Sequence, residues 1–252
     1  MRARAVGVVP SVAITLLALL AIHPAAAIPF QMQIYAESSP TPDPIATLDS
    51  VGLGCVDNPD GVSAVCNVSG LEYDTGYTHL TVDLTDFQID SDPVVTGTIG
   101  VTNGANTTQH FTFVFTLPVA PMLGGTLTGG RVSGTLTDQG GGGATVSTAG
   151  PGTAFYTAQL DGADWQKLYT DPIAFNALNG STGIPQLQFG TPIPSLPGPP
   201  VAASIGIRLD FLLTAFDAVS FTSNHVVVAP EPGTAALLGL GLALLAMRRQ
   251  KL

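Results

Sequence analysis

The stretch "VVTGTIGVTNGANTTQHFTFVFTLP", Val94 to Pro118, decides the fold class. In its first run Val95, Ile99 and Val101 fall on one face, and Thr96, Thr98 and Thr102 on the other. In its second run Phe111, Phe113, Phe115 and Leu117 share a face opposite Thr112 and Thr116. A period of two is the period of a strand with one buried face. The linking "NGANTTQ" is polar and contains Asn-Gly, which predicts that the two runs form a hairpin.

The same signal extends in both directions. "HLTVDLTDFQI" alternates through Leu80, Val82 and Leu84, then changes phase to Phe87 and Ile89, which predicts a bulge near Thr85-Asp86. "SIGIRLDFLLTAF" places Ile205, Ile207, Leu209, Phe211 and Leu213 on one side. Such runs, separated by Gly and Pro, predict an all-β, antiparallel β-sandwich or jelly-roll ectodomain. One or two helical turns are expected only near "DWQKLY". "GTLTGG" at Gly125 returns as "GTLTDQ" at Gly134, a spacing that suits a hairpin or meander. The run Gly140 to Gly143 has no helix start or Lys-Ser/Thr pair beside it, so it reads as a loop rather than a phosphate cradle. Gly183 to Pro200 is too proline-dense for a central strand and reads as an extended excursion.

The ends of the sequence differ from its middle. Arg2 and Arg4 precede an apolar segment from Ala5 to Ile22, and "HPAAA" then offers small residues at Ala25 and Ala27. This is the layout of a secretory signal peptide over 1–27, cleaved after Ala27 by the route of the general secretion machinery. At the other end "VVVAPEPGTAALLGLGLALLAMRRQKL" runs from Val226 to Leu252. It holds fifteen uncharged residues from Gly233 to Met247. As a helix these would cover about 22 Å against a bilayer core of about 30 Å, so the span is short. Arg248, Arg249 and Lys251 extend its reach by snorkelling and set its basic end on the cytoplasmic side. A buried core helix suits this segment poorly, because the basic cluster needs water.

The order Pro230-Glu231-Pro232, a short Gly/Ala/Leu-rich span and a terminal Arg cluster resembles the PEP-CTERM sorting signal of Gram-negative bacteria. The resemblance covers 229–252 only, with Gly233-Thr234 where Ser/Thr often follows PEP directly. It implies recognition by exosortase after transient membrane insertion. It further implies cleavage near PEP and delivery to the cell surface or matrix, usually in bacteria that make extracellular polysaccharide. It implies nothing about the chemistry of the ectodomain, 28–228.

That ectodomain carries Arg131, Lys167 and Arg208 as its only strong bases against seventeen acids, a net of −14, while the whole chain stands at −10. Such a surface repels nucleic acid and anionic membranes. The two cysteines, Cys55 and Cys66, flank Asn-Pro-Asp-Gly, and in an exported chain they are expected to form a disulfide across a turn.

Candidate binding residues fall into two sets. Asp57 and Asp60 in "DNPDG", and Asp86, Asp90 and Asp92 in "TDFQIDSD", could supply oxygens to calcium or serve as polar turn residues. Tyr156, Trp165 and Tyr169 could stack on sugar faces or pack in the interior. His79, His110 and His225 show no metal-ligand spacing, and no nucleophile elbow occurs. The leading reading is a non-catalytic surface or matrix protein without a cofactor, associated with extracellular polysaccharide. A carbohydrate- or calcium-binding module is the alternative, and a secreted hydrolase with an unrecognised acidic site is the third.

Overall fold

The computed structural model describes residues 30–36, 43–58, 63–75, 78–90, 92–122 and 124–229. Among these residues there are strands and no α-helix: β1 (Gln31–Ala36), β2 (Ala46–Asp49), β3 (Val56–Asp57), β4 (Ser63–Asp74), β5 (His79–Asp90), β6 (Val94–Asn103), β7 (Gln109–Pro118), β8 (Thr126–Thr137), β9 (Ala144–Ser147), β10 (Ala154–Leu160), β11 (Ala163–Thr170), β12 (Ala174–Ala177), β13 (Ser181–Phe189), β14 (Leu196–Gly198), β15 (Ser204–Leu213) and β16 (Ala218–Val228). The first sheet runs β11-β10-β15-β7-β1-β2, with β9 added to β15 and β12 to β9. The second runs β13-β8-β16-β6-β5-β4-β3, with β14 on β8. The pairing is antiparallel throughout. The all-β sandwich expected from the alternation is the observed architecture.

The two apolar faces close on each other. Ile99 and Val101 of β6, Phe111, Phe113 and Phe115 of β7, and Ile207, Leu209 and Phe211 of β15 all point inward and are buried. Eight of the eleven phenylalanines are fully buried. Their rings meet across the interface, as in Phe87 with Phe115 at 4.7 Å and Phe211 with Phe221 at 5.1 Å between centroids. Each such ring contributes about 1.5–3 kcal/mol by burial.

Several local expectations hold. The register of β5 on β6 slips between Thr85 and Gln88, with Asp86 at φ 48°, so the phase change is a bulge. Asn67 Oδ1 accepts from Asp86 N at 2.8 Å and holds it. Gly97 faces this bulge, and a Cβ there would stand 2.5 Å from Phe87 Cα. The Cys55–Cys66 disulfide forms, with Cα atoms 4.0 Å apart, and closes the hairpin in which Val56 pairs with Val65.

Other expectations are corrected. Val94–Asn103 and Gln109–Pro118 are not a hairpin. β6 pairs with β5 and β16 in the second sheet, whereas β7 pairs with β1 and β15 in the first. Each strand already has partners on both edges, and their apolar rows meet face to face across the core. The "GTLT" repeat lies along the single strand β8 rather than in a meander. "DWQKLY" is strand β11, joined to β10 by Asp161-Gly162 with φ 51° and 76°. Both angles suit a two-residue type I′ turn, and Leu160 pairs with Ala163 across it. The proline-dense segment is more than an excursion: it supplies β13 and β14, both laid on β8, and Pro185 sits where the register of β13 slips.

The topology gives the sandwich two unlike poles. β1 begins at Gln31 beside Thr116, and β16 ends at Val228 beside Leu127, so the described chain enters and leaves at one end, the near pole. The crossings β6 to β7, β8 to β9, β12 to β13 and β15 to β16 pass from sheet to sheet at the opposite end, the far pole. Asn103, fully buried there, shares its Nδ2 protons among the carbonyls of Thr107, Leu213 and Thr214 at 2.9–3.0 Å. Its Oδ1 accepts from Ala105 N at 3.0 Å. Replacing Asn103 by Ala leaves buried carbonyls unpaired and is expected to lower stability by about 2 kcal/mol or more, read from urea unfolding midpoints. An unchanged midpoint would show that the crossing holds without it.

Candidate functional site

The three aromatic residues that could stack on sugars or pack in the interior are inter-sheet ties. Tyr156 of β10 is fully buried, and its Oη donates to Asn224 O of β16 at 2.8 Å. Tyr169 of β11 is buried and donates to Pro185 O of β13. Trp165 of β11, half-buried, donates from Nε1 to Thr128 Oγ1 of β8 at 3.2 Å. Each residue belongs to the first sheet and sends its polar tip to the second. A ring so enclosed cannot stack on a sugar from solvent, so Tyr156 and Tyr169 are not a platform and Trp165 stands without them. Gly130 is the complement of this arrangement, since a Cβ there would lie 2.6 Å from Tyr156 Oη. His225 makes a fourth tie in the reverse direction, with Nδ1 3.0 Å from Gly206 O.

Asp57 is exposed on β3 and Asp86 on the bulge, while Asp90 Oδ1 accepts from Asp92 N at 2.9 Å as a turn residue. Asp60 lies outside the described residues. Among the described residues no group of three or more His, Cys, Asp or Glu side chains has metal-holding geometry. His110 Nε2 lies 2.7 Å from Asp210 Oδ1 across β7 and β15, and His79 Nδ1 lies 3.3 Å from Asp74 Oδ2. The second pair borders a cleft of about 360 Å³ at the far pole, lined by Glu72, Tyr73, Thr81 and Gly104 among others.

The far pole carries an organised loop surface. Asp138 accepts from Gly141 N at 2.7 Å, Gly143 N at 3.1 Å and Asn179 N at 2.9 Å, binding the β8–β9 loop to the β12–β13 turn. These amide bonds, first that of Asn179, hold its carboxyl below the usual range. Asp217 accepts from Gln139 N and Gly140 N at 3.2 and 3.5 Å, and Thr214 Oγ1 accepts from Thr145 N at 2.8 Å. Leu178 and Phe216 project from this frame, 80% and 50% exposed. The glycine loop lies between them: a Cβ on Gly143 would stand 3.0 Å from Leu178 Cδ2, and one on Gly140 3.3 Å from Phe216 Cβ. Phe216 has φ 59°, a left-handed conformation that a bulky residue adopts only at a cost. Neither residue was singled out in the sequence; the available signal was an apolar residue inside a turn, in "NALNG" and "TAFDA".

The described chain ends on the near pole at Ala229. Residues 228–250 match the family model of the PEP-CTERM protein-sorting motif. The chain carries a PEP-CTERM sorting signal. Such a signal implies an exported protein that passes through the membrane and is then anchored at the surface or released, with exosortase as its processing partner. No curated protein matches the chain. The motif residues Pro230, Glu231 and Pro232, the basic residues Arg248, Arg249 and Lys251, and the signal-peptide residues Ala25 and Ala27 lie outside the described residues.

His225 makes the tied interior sensitive to acid. Burial lowers its pKa from 6.5 to about 4, against a smaller opposing effect of the Gly206 carbonyl. Between those values the unfolded chain takes up a proton that the folded chain refuses. The contribution is therefore complete above about pH 6.5 and falls as pH drops toward 4, by on the order of 3 kcal/mol. In urea titrations at pH 7 and pH 4, wild type should lose more stability than His225→Gln. Equal losses would place the acid sensitivity elsewhere.

Proposed function

We propose that this chain is an exported, non-catalytic surface or matrix protein of a Gram-negative bacterium, sorted by its PEP-CTERM tail and associated with extracellular polysaccharide. A signal peptide over 1–27 directs it to the general secretion machinery, and the apolar span of 229–252 halts it in the inner membrane. The observation that carries this reading is the position of the motif. It begins as β16 ends, at the pole where the described chain also starts, so membrane enzymes can work at that pole while the far pole faces away. The non-catalytic part is supported by His225, which is sealed in the core out of reach of a substrate. The acidic exterior suits a protein that must stay soluble outside the cell.

The short apolar span marks a temporary stop. Protein released from the native host should lack the residues beyond about Pro232, as read by C-terminal peptide mapping. Glu231→Ala should leave a membrane-retained precursor, and removal of Arg248, Arg249 and Lys251 should weaken the stop. Recovery of "LLAMRRQKL" on the released form would overturn the processing.

A further inference from the structure

We propose that the far pole is a binding site for a neutral polysaccharide, with the Phe216 ring as its stacking surface. The proposal rests on the polysaccharide association put forward above and assigns it to a place. Phe216 carries the argument. It is the one phenylalanine classed as exposed among the described residues, in a protein that buries eight of its eleven. It also occupies φ 59°, where glycine would be more stable. A sequence that places an aromatic ring in such a position gives up stability twice, in backbone strain and in apolar exposure, and such losses concentrate at functional sites.

The surroundings suit a sugar. Phe216 stands beside Gly140, whose added Cβ would lie 3.3 Å from Phe216 Cβ, and the next two residues, Gly141 and Gly142, leave open space where an added Cβ would meet nothing within 4 Å. Leu178 continues the apolar surface on the other side of the loop. The exposed side-chain amides of Gln139 and Asn179 border it with no hydrogen bond to the rest of the described chain, and can exchange donors and acceptors with hydroxyl groups. The frame is already rigid, because Asp138 accepts from three loop amides and Asp217 from two amides and the Thr214 hydroxyl, so little ordering remains to oppose binding.

Charge selects the occupant. Residues 103–109, 137–144, 177–181 and 213–218 contain no Lys or Arg, and the ectodomain has a net of −14. An anionic polymer has no counter-charge here, and a second copy of the chain brings the same sign. A neutral glycan meets neither obstacle.

Affinity electrophoresis of the full-length chain, in a sugar-free non-ionic detergent, tests the site with dextran, galactomannan, laminarin and levan, and with alginate as the anionic arm. At least one neutral polymer should retard the wild type and alginate should not. Phe216→Gly should weaken the retardation at least tenfold with its melting midpoint unchanged or raised, since glycine fits the backbone. Phe216→Trp should retain binding. Retardation by alginate alone, or a Phe216→Gly variant that binds as wild type does, overturns the site while the polysaccharide association stands. Retardation by none of the polymers overturns both. A dimer in size-exclusion chromatography that Phe216→Gly dissolves would show a second copy on this surface and overturn the glycan. Tail mapping should be the same in every variant, so failure here is distinct from failure of sorting.

Discussion

Each sheet of this protein has one face that water must not reach, and each can hide that face only against the other. The apolar rows of β7 and β15 on one side and the inward side chains of β5, β6 and β16 on the other are the two halves of this seal. Much of the rest follows from making it while leaving few buried polar groups unpaired. The chain must pass between sheets at the end of the seal, and the carbonyls exposed by those passages need donors. Asn103 supplies them at the far pole. Along β10 and β11 the polar tips of Tyr156, Trp165 and Tyr169 reach across to the opposite sheet.

The alternation of apolar and polar residues was legible because burial on one face writes a period of two into each strand. The inward rows of β5, β6, β7 and β15 can be read directly, and the bulge at Asp86 shows as a change of phase. The partner of each strand was less legible. "NGANTTQ" contains a sound hairpin dipeptide, yet it joins two sheets, because the edges of β6 and β7 are taken by strands far away in sequence. Alternation tells which face is buried and says nothing about the neighbour on either edge. The turn at Asp161-Gly162 was open to reading, since Asp-Gly is a hairpin dipeptide, and it makes "DWQKLY" a strand where helical turns were expected.

The aromatic residues show the same limit at the level of a site. Tyr156, Trp165 and Tyr169 carry large apolar bodies and one polar atom each, and that chemistry serves a wet platform or a dry tie equally well. Their burial and the hydrogen bonds of their polar tips to the opposite sheet separate the two. The same ambiguity hid Phe216. A phenylalanine in a turn resembles any other core residue until its backbone angle and exposure are known. The acidic residues near Asp57 and Asp90 were ambiguous for another reason, since carboxylates that bind cations and carboxylates that terminate turns favour the same short polar segments.

The placement of β16 has a mechanical consequence. It is the strand nearest the sorting motif in sequence, yet it lies inside the second sheet, hydrogen-bonded along its length to β6 on one side and β8 on the other. A pull transmitted from the tail runs parallel to β16, so the two ladders resist as a set, in shear, instead of opening one bond at a time. A load between the tail and the far pole is therefore borne by a strand that is paired on both edges. A domain built in this way resists extension through its C-terminal strand better than one whose last strand lies at a sheet edge.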